Sequence, residues 1–413
     1  MTDKQTDDYL ILSERHLIFK RHKYYDECDK LTFLAKNLYN ATLYYQRNSY
    51  FNKEFKNYYD VNREFTYNNQ IDYRALPAKV SKQVQMLVDK AFKSYFALVK
   101  KKQEKSYDKT VSLPKYLDKN KGRCTTPYPK DALSLKDDGL IKLSKTNIVI
   151  QTKVPKDKIQ AARIVPKGNH FVLEVLYKQN VDKPILDKIE RVAFVDPGLN
   201  NLMTVTSNCF NPILYSGRDL KSINQLANKN ISKLKSKLSK RGLLTSPLLK
   251  SIYSKRKRRI VDKLHKISSH LMNHLVSHNI DTVIFGYNKG QKQDIKLGKR
   301  NNQNFIQIPF TQLIALLQYK CQLKGIRLIV TEEYYTSKCS FLDLEEIKRQ
   351  EVYLGKRVKR GLFKSCYGCY INSDVNGSLN IGRKWLTNQS LYSDDLHSEL
   401  IKHMVNPKRL RIV

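Results

Sequence analysis

The sequence predicts an α/β protein. A mixed strand-and-helix domain fills its C-terminal half, preceded by a β-rich domain and a helical one. Three observations carry this. The apolar spacing is helical through residues 25–102, alternates with a period of two within 139–178, and from 192 onward forms short strand-length runs separated by helical stripes. Turn residues fall at the changes of period, as at Lys167-Gly168-Asn169 and Asp196-Pro197-Gly198. Hydrophobic residues make up 41% of the 413, enough for real cores in two to four domains.

Each element follows in turn. Leu31, Leu34, Leu38, Ala41 and Tyr45 share one helical face after Tyr25. A second helix starts near Leu76-Pro77, where Pro suits a first turn, and buries Val80, Val84, Leu87, Ala91, Tyr95 and Leu98. Residues 104–138 read as a loop punctuated by Pro114, Pro127 and Pro129. Phe171, Leu173, Val175 and Tyr177 alternate as a strand, and Ile148 and Ile150 mark an earlier one. Pro184–Ile189 reads as a linker. Strands are then expected at 192–195, 202–206, 213–215, 282–285 and 327–331. Between the third and fourth of these, 218–279 is a basic helical hairpin broken at Gly242 and Pro247. A helix at 311–323 and a last one beyond Asp374 complete the domain.

The expected domains are 1–22 with 136–185 as a β-rich, wedge-like and barrel-like unit, and 23–135 as a helical recognition unit. Residues 186–385 form the α/β domain, and 386–413 a polar, partly helical extension.

Charge narrows the function. Lys and Arg number 76 against 38 Asp and Glu, a net +38. Such an excess opposes a compact fold unless a polyanion neutralises it, and nucleic acid is the usual one. No apolar run approaches a bilayer span and no signal peptide opens the chain, so no membrane role is expected. Seven scattered cysteines suit a reducing cell interior, cytoplasmic and nucleoid-associated in a prokaryote or nuclear in a eukaryote.

Phosphodiester hydrolysis needs an activated water and a stabilised leaving oxygen. Two divalent ions roughly 4 Å apart supply both, and hard Mg²⁺ is held by carboxylates. Such carboxylates belong at strand ends and first helical turns. Asp196 ends a fully apolar strand, and Asp374 precedes the stripe Val375, Leu379, Ile381. Each has a local alternative, the first as a turn former and the second as an N-cap.

The order of motifs is more specific. An apolar strand ending in Asp-x-Gly-x-Asn-Asn leads through a hairpin, a long basic helix and two strands to Asn-Ser-Asp-Val-Asn-Gly-Ser-Leu-Asn-Ile. This resembles the RuvC-type RNase H fold of the transposon-encoded TnpB family, relatives of the type V CRISPR effectors. The segments Ala-Lys-Asn-Leu-Tyr-Asn at 35–40, Leu-Pro-Ala-Lys-Val at 76–80, Leu-Pro-Lys-Tyr at 113–116 and Tyr-Thr-Ser-Lys-Cys at 335–339 extend the resemblance over most of the chain. It implies an RNA-guided DNA endonuclease with one RuvC-like site, a guide RNA, double-stranded target DNA, Mg²⁺, and a monomer on its RNA. Asp196 and Asp374 match the family's first and third acids.

The second acid is displaced. The family commonly places a Glu at the end of the fourth strand, where Gly286 stands here. The fifth strand lies beside the fourth in this fold, about 4.8 Å away, and ends at Glu332-Glu333. Successive residues face opposite sides, so only one of the two is expected to reach the ions, and period does not choose. A subset of TnpB and the related Fanzor proteins resembles this arrangement, with a Glu three residues before Thr-Ser. That implies Glu333, with Glu332 in reserve. Asp343 and Glu345 are expected to be solvated.

Cys366-x-x-Cys369 is half of a zinc site. With Cys339 but Leu342 at its partner position, segment 336–370 reads as a degenerate finger held by packing, and zinc is not the favoured reading. Lys255, Arg256, Lys257, Arg258 and Arg259, the cluster Lys356, Arg357, Lys359 and Arg360, and the pair Lys115 and Tyr116 are candidate nucleic-acid contacts. Two rival functions fit the same features. One is an RNA-guided repressor that no longer cuts, for which the missing Glu at 286 speaks. The other is a transposase on the RNase H fold.

Overall fold

A computed structural model describes residues 9–181, 189–288, 290, 298, 302, 303 and 306–412. Residues 1–8 and most of the expected linker at 184–189 lie outside them. Two compact units are present, Met1–Gln179 and Asn180–Val413.

The first unit opens with β1 (Tyr9–Phe19), followed by four helices: α1 (Tyr25–Phe51), α2 (Tyr58–Tyr67), α3 (Ile71–Arg74) and α4 (Ala78–Gln103). Six strands complete it: β2 (Thr126–Pro129), β3 (Leu133–Leu135), β4 (Leu140–Leu143), β5 (Val149–Gln151), β6 (Ile159–Pro166) and β7 (His170–Asn180). One core joins helices and strands, with Leu31, Leu38, Val80 and Val84 packed in the same cluster as Tyr128, Ile164, Leu173 and Val175. Among the described residues the strands form two separate sheets, ordered β1-β7-β6-β2 and β3-β4-β5, where the sequence suggested one barrel. Residues 126–129 and 133–135, expected as loop, are two of these strands, joined by a 3-10 turn at 130–132. Pro127 and Pro129 mislead because β2 is an edge strand, where a missing N–H costs nothing.

The second unit is a six-stranded sheet in the order β12-β11-β8-β9-β10-β16. Its strands are β8 (Val192–Pro197), β9 (Asn201–Ser207), β10 (Ile213–Ser216), β11 (Thr282–Gly286), β12 (Arg327–Thr331) and β16 (Lys408–Leu410). β8, β9 and β10 form an antiparallel meander, while β11 runs parallel to both β8 and β12. The expected helical hairpin is α5 (Arg218–Ser239) and α6 (Pro247–Ser277), with Ser246 capping the second helix through the Leu249 N–H. With α7 (Phe310–Leu323) they cover one face of the sheet, burying Ile260, Leu264, Leu271, Leu275 and Leu313.

The other face carries α8 (Ser373–Asn388), on Phe194, Ile284 and Val192. This helix lies unusually close. A Cβ at Gly382 would sit 2.3 Å from the Phe194 ring, and one at Gly377 would sit 3.0 Å from Asp196 Oδ2. Ser378 completes the seam by donating to Phe194 O at 3.0 Å and pairing with Thr206 Oγ1 at 2.9 Å.

Between β12 and α8 a small sheet forms from β13 (Lys356–Lys359), β14 (Leu362–Lys364) and β15 (Tyr370–Ile371). The segment before it is pinned to α8 by two buried amides. Asn376 accepts from Phe341 N and donates to Cys339 O, both at 2.9 Å, and Asn380 donates to Thr336 O and Cys339 O. Loss of the Asn376 amide leaves the buried Phe341 N–H unpaired, while Cys339 O keeps its bond from Asn380. Asn376→Ala is therefore expected to lower stability by about 1–3 kcal/mol, read as a fall in denaturation midpoint. The tail is more structured than its polar composition suggests. It forms α9 (Asp394–His403) and then β16, parallel to β10. No helix among the described residues is long and apolar enough to cross a membrane.

Candidate active site

Asp196 is the fifth residue of β8, and the chain turns sharply behind it. The Gly198 N–H donates to Leu202 O at 3.2 Å, and a Cβ at 198 would meet Asn201 O at 2.6 Å, so only Gly makes this turn. Asp374 sits in the first turn of α8, whose cap is Asn372 rather than Asp374. The Asn372 side chain accepts from the N–H groups of Asp374 and Val375. That leaves the Asp374 carboxylate for other partners. It accepts from Asn201 Nδ2 at 2.7 Å and pairs with Arg357 at 3.5 Å.

Glu333 follows β12 by two residues. Glu332 is exposed, whereas Glu333 is half-buried. The space its carboxyl fills is the one a side chain at 286 would need: a Cβ on Gly286 would lie 3.1 Å from Glu333 Oε2. The same Cβ would lie 2.5 Å from Ile381 Cδ1. Backbone bonds hold the loop in register, since Asn288 Oδ1 accepts the Glu333 N–H at 2.9 Å and Tyr287 N donates to Thr331 O at 2.8 Å. Glu333 Oε2 itself is buried without a partner.

Asp196 feels the other two carboxyls. Burial, then Glu333, then Asp374 push Asp196 well above the ordinary carboxylate range, with Arg357 acting in the opposite sense. Burial raises Glu333 to about 7. Carboxyl groups raised in this way are candidates for a functional site, although Glu333 is not in the lining of the cleft that holds Asp196. Among the described residues, no group of three or more His, Cys, Asp or Glu side chains stands ready to hold a metal ion. The donor chemistry nevertheless fits a hard divalent ion, with acidic oxygens drawn from three separate segments and one of them orphaned.

Asp196 and Asp374 line a cleft of about 880 Å³ with Asn200, Asn201, Thr204 and Asn372. Its cations are Arg218, Arg357, Lys359, Arg360 and Arg409. Of the expected basic contacts, Arg357, Lys359 and Arg360 therefore stand at the acids, and Lys356 is exposed on the same small sheet. The run 255–259 lies on α6, outside that lining. Lys255, Lys257 and Arg259 are exposed, but Arg256 turns inward to Asn224 at 2.7 Å and Arg258 bonds Ser254. Lys115 and Tyr116 belong to the first unit. Both are exposed, and the Arg47 guanidinium lies 5.3 Å from the Tyr116 ring centroid. Sequence reasoning passed over Arg218, Arg409 and the role of Asn201. Only Asn201 carried a signal, inside the Asp-x-Gly-x-Asn-Asn motif.

The finger-like segment is knit by hydrogen bonds. Cys339 is fully buried, and its thiol faces the carbonyls of Glu346 and Lys348, while Cys366 and Cys369 are exposed. Glu345, expected to be solvated, is buried and accepts from Ser340 N at 2.7 Å and Leu354 N at 3.0 Å. Asp343 accepts from Cys366 N at 3.0 Å. Carboxylates thus tie this knuckle together, and its thiols do not converge as zinc ligands. Chelation, or Cys366→Ser with Cys369→Ser, is expected to leave the melting temperature within about 1 °C of wild type, because surface changes of this kind are nearly neutral.

Comparison with known proteins agrees with this architecture. Residues 174–292 match the OrfB_IS605 family, described as a probable transposase, and residues 310–381 match the Cas12f1-like TNB domain. A TnpB-like protein, ORF457 of Acidianus two-tailed virus, is 25% identical over 229 residues, which are 53% of this chain and 46% of that protein. These matches support a TnpB-family protein. A second relative is the CRISPR-associated endodeoxyribonuclease Cas12f2 of a Micrarchaeota archaeon. It is 28% identical over 39% of this chain and 29% of its own length. The match thus spans less than half the length of either relative. The solved Cas12f1–sgRNA–target DNA complex shares the fold, with a TM-score of 0.54 at 15% identity over 85% of this chain and 81% of that one.

Proposed function

We propose that this TnpB-family chain is an RNA-guided DNA endonuclease, hydrolysing phosphodiesters at one site formed by Asp196, Glu333 and Asp374. The observation that carries the reading is the Glu333 carboxyl, lodged where a side chain at 286 would stand. In this reading the loop after β12 supplies the displaced acid.

The three carboxylates would hold divalent ions, Mg²⁺ by their hardness. Bound ions supply an acidified water and charge neutralisation at the leaving oxygen. The chain's own groups prepare this. Asn201 fixes one oxygen of Asp374, and Arg357 balances its charge until that carboxylate turns to an ion. Glu333 and Asp196 would have to lose their protons to hold an ion, because burial favours their neutral forms. Arg357, Lys359, Arg360 and Lys356 would meet the phosphates of the strand being cut, and the exposed cations of α6 would contact phosphates further along the nucleic acid. Lys115 and Tyr116 would track RNA or DNA by charge and stacking. The guide RNA would read sequence by base pairing.

Sequencing of the nucleic acid that co-purifies, followed by incubation with Mg²⁺ and a plasmid matched to its guide portion, tests the reading. A discrete RNA and a cut confined to the matched plasmid are expected. A discrete RNA with guided binding but no cut would show a repressor. Joined DNA ends with no specific RNA would show a transposase.

A further inference from the structure

The cleft has a cation that neither family match covers, since the second match ends at residue 381. Arg409 reaches the cleft from the tail. β16 pairs in parallel with β10, register Leu214 to Arg409, and Lys408 N donates to Pro212 O at 2.8 Å. Leu410 packs against the sheet's main core, and Arg409, one residue before it in the strand, faces the other way and lines the cleft. A clamp holds the strand down. Asp219 in the first turn of α5 pairs with Arg411 at 3.0 Å and Lys263 at 3.1 Å, and Lys263 also donates to Ile412 O at 2.8 Å. Arg409 and its neighbour in the lining, Arg218, are both exposed, and neither guanidinium has a hydrogen-bond or ion-pair partner among the described residues.

These facts separate the tail from a solvated appendage. A strand held by partly buried apolar residues and a charge triad brings the Arg409 guanidinium to the same cleft that Asp196 and Asp374 line. Guanidinium in such a place suits a phosphate, which it grips with two donors. The sheet order puts β16 three strands from β8, about 14 Å at the usual spacing. Arg409 is therefore remote from the reacting phosphate and suited to one that flanks it.

We propose that β16 is part of the substrate site, and that Arg409, with Arg218 beside it, holds a backbone phosphate flanking the cut in the DNA strand. This rests on the endonuclease reading above. The test uses the full chain with its co-purified RNA. Single-turnover cleavage is followed against target concentration and salt for wild type, Arg409→Ala, Arg409→Lys and the tail control Lys402→Ala. Arg409→Ala should raise the half-saturating concentration on the order of tenfold, the value of one charge-assisted contact. It should also lower the slope of log affinity on log salt by about one. Lys should restore part of both, and Lys402→Ala should match wild type. Neutral methylphosphonates, placed one at a time beside the cut, should slow wild type at one position where Arg409→Ala no longer responds. Identical concentration and salt dependence in wild type and Arg409→Ala, with no such position, would overturn the proposal.

A wild type that cuts nothing would instead refute the endonuclease reading. The tail is then judged on binding of fluorescent single-stranded DNA in Ca²⁺. A weaker Kd and a shallower salt slope for Arg409→Ala support its phosphate contact, and unchanged values refute it.

Discussion

Glu333→Gln is expected to abolish cleavage while guided binding persists. Gln keeps the shape of the side chain but cannot carry the negative charge that a divalent ion requires. The loss should be about a thousandfold or more, the order observed when one essential electrostatic group is removed from a site. Glu332→Gln, on the exposed side of the same loop, should stay within a few-fold of wild type. Plasmid cleavage under matched RNA and Mg²⁺ separates the two, and full activity in Glu333→Gln would remove Glu333 from the site. The pH response follows from the same residue. Its carboxyl titrates near 7 in the folded chain against an ordinary 4.5. Below about pH 7 the proton competes with the ion, so wild-type cleavage should fall as pH drops through that value. The raised pKa also means that folding favours the protonated form. This site therefore costs stability as pH rises from the ordinary value to the folded one. Added Mg²⁺ should offset that cost, raising the melting temperature more at pH 8 than at pH 5.5.

Gly286→Ala is expected to be the most damaging single methyl that can be added to the sheet. The new Cβ would sit 2.5 Å from Ile381 Cδ1 and 3.1 Å from Glu333 Oε2. β11 is a central strand, and Ile381 belongs to the core under α8, so neither gives way freely. Overpacking of this kind costs about 1–3 kcal/mol. Activity should fall further than stability, because the carboxyl that shares the space must move as well. Thermal melts and cleavage rates on the same preparation test this, and a variant with both unchanged would mean that the space is not shared. Gly286→Glu combined with Glu333→Gln should not restore cutting, since Ile381 now fills the ground beside the older position.

The sequence disclosed what was periodic and hid what was not. The helices beginning at Tyr25 and Ala78, the hairpin broken between Gly242 and Pro247, and the strands leading to Asp196 and Gly286 all bury repeating apolar faces, and repetition is readable. The choice between Glu332 and Glu333 could not be read from period, because alternation gives two faces without saying which is inward. Packing at Gly286 and Ile381 supplies that difference. Glu345 looked like one more acid in a polar stretch. Only the fold reveals that two backbone N–H groups point at it. Arg256 was one cation of five in a row until α5 set Asn224 opposite it. β16 was invisible because three residues have no period, and its pairing depends on an edge that lies almost two hundred residues earlier.

The position of β12 has a consequence for how the protein could be switched off. It is the last strand of the sheet, held by hydrogen bonds to β11 on one side. A central strand opens only with the whole domain, but a terminal one can peel away locally at lower free energy. In the proposed site the second acid comes from the loop after β12 rather than from β11, and so from the margin of the sheet rather than from an inner strand. Fraying of five residues, with the rest of the unit intact, would carry Glu333 out of the site. Heat or mild denaturant should therefore silence this protein before it unfolds, and amide exchange at Leu328, Ile329 and Val330 should follow the loss of activity.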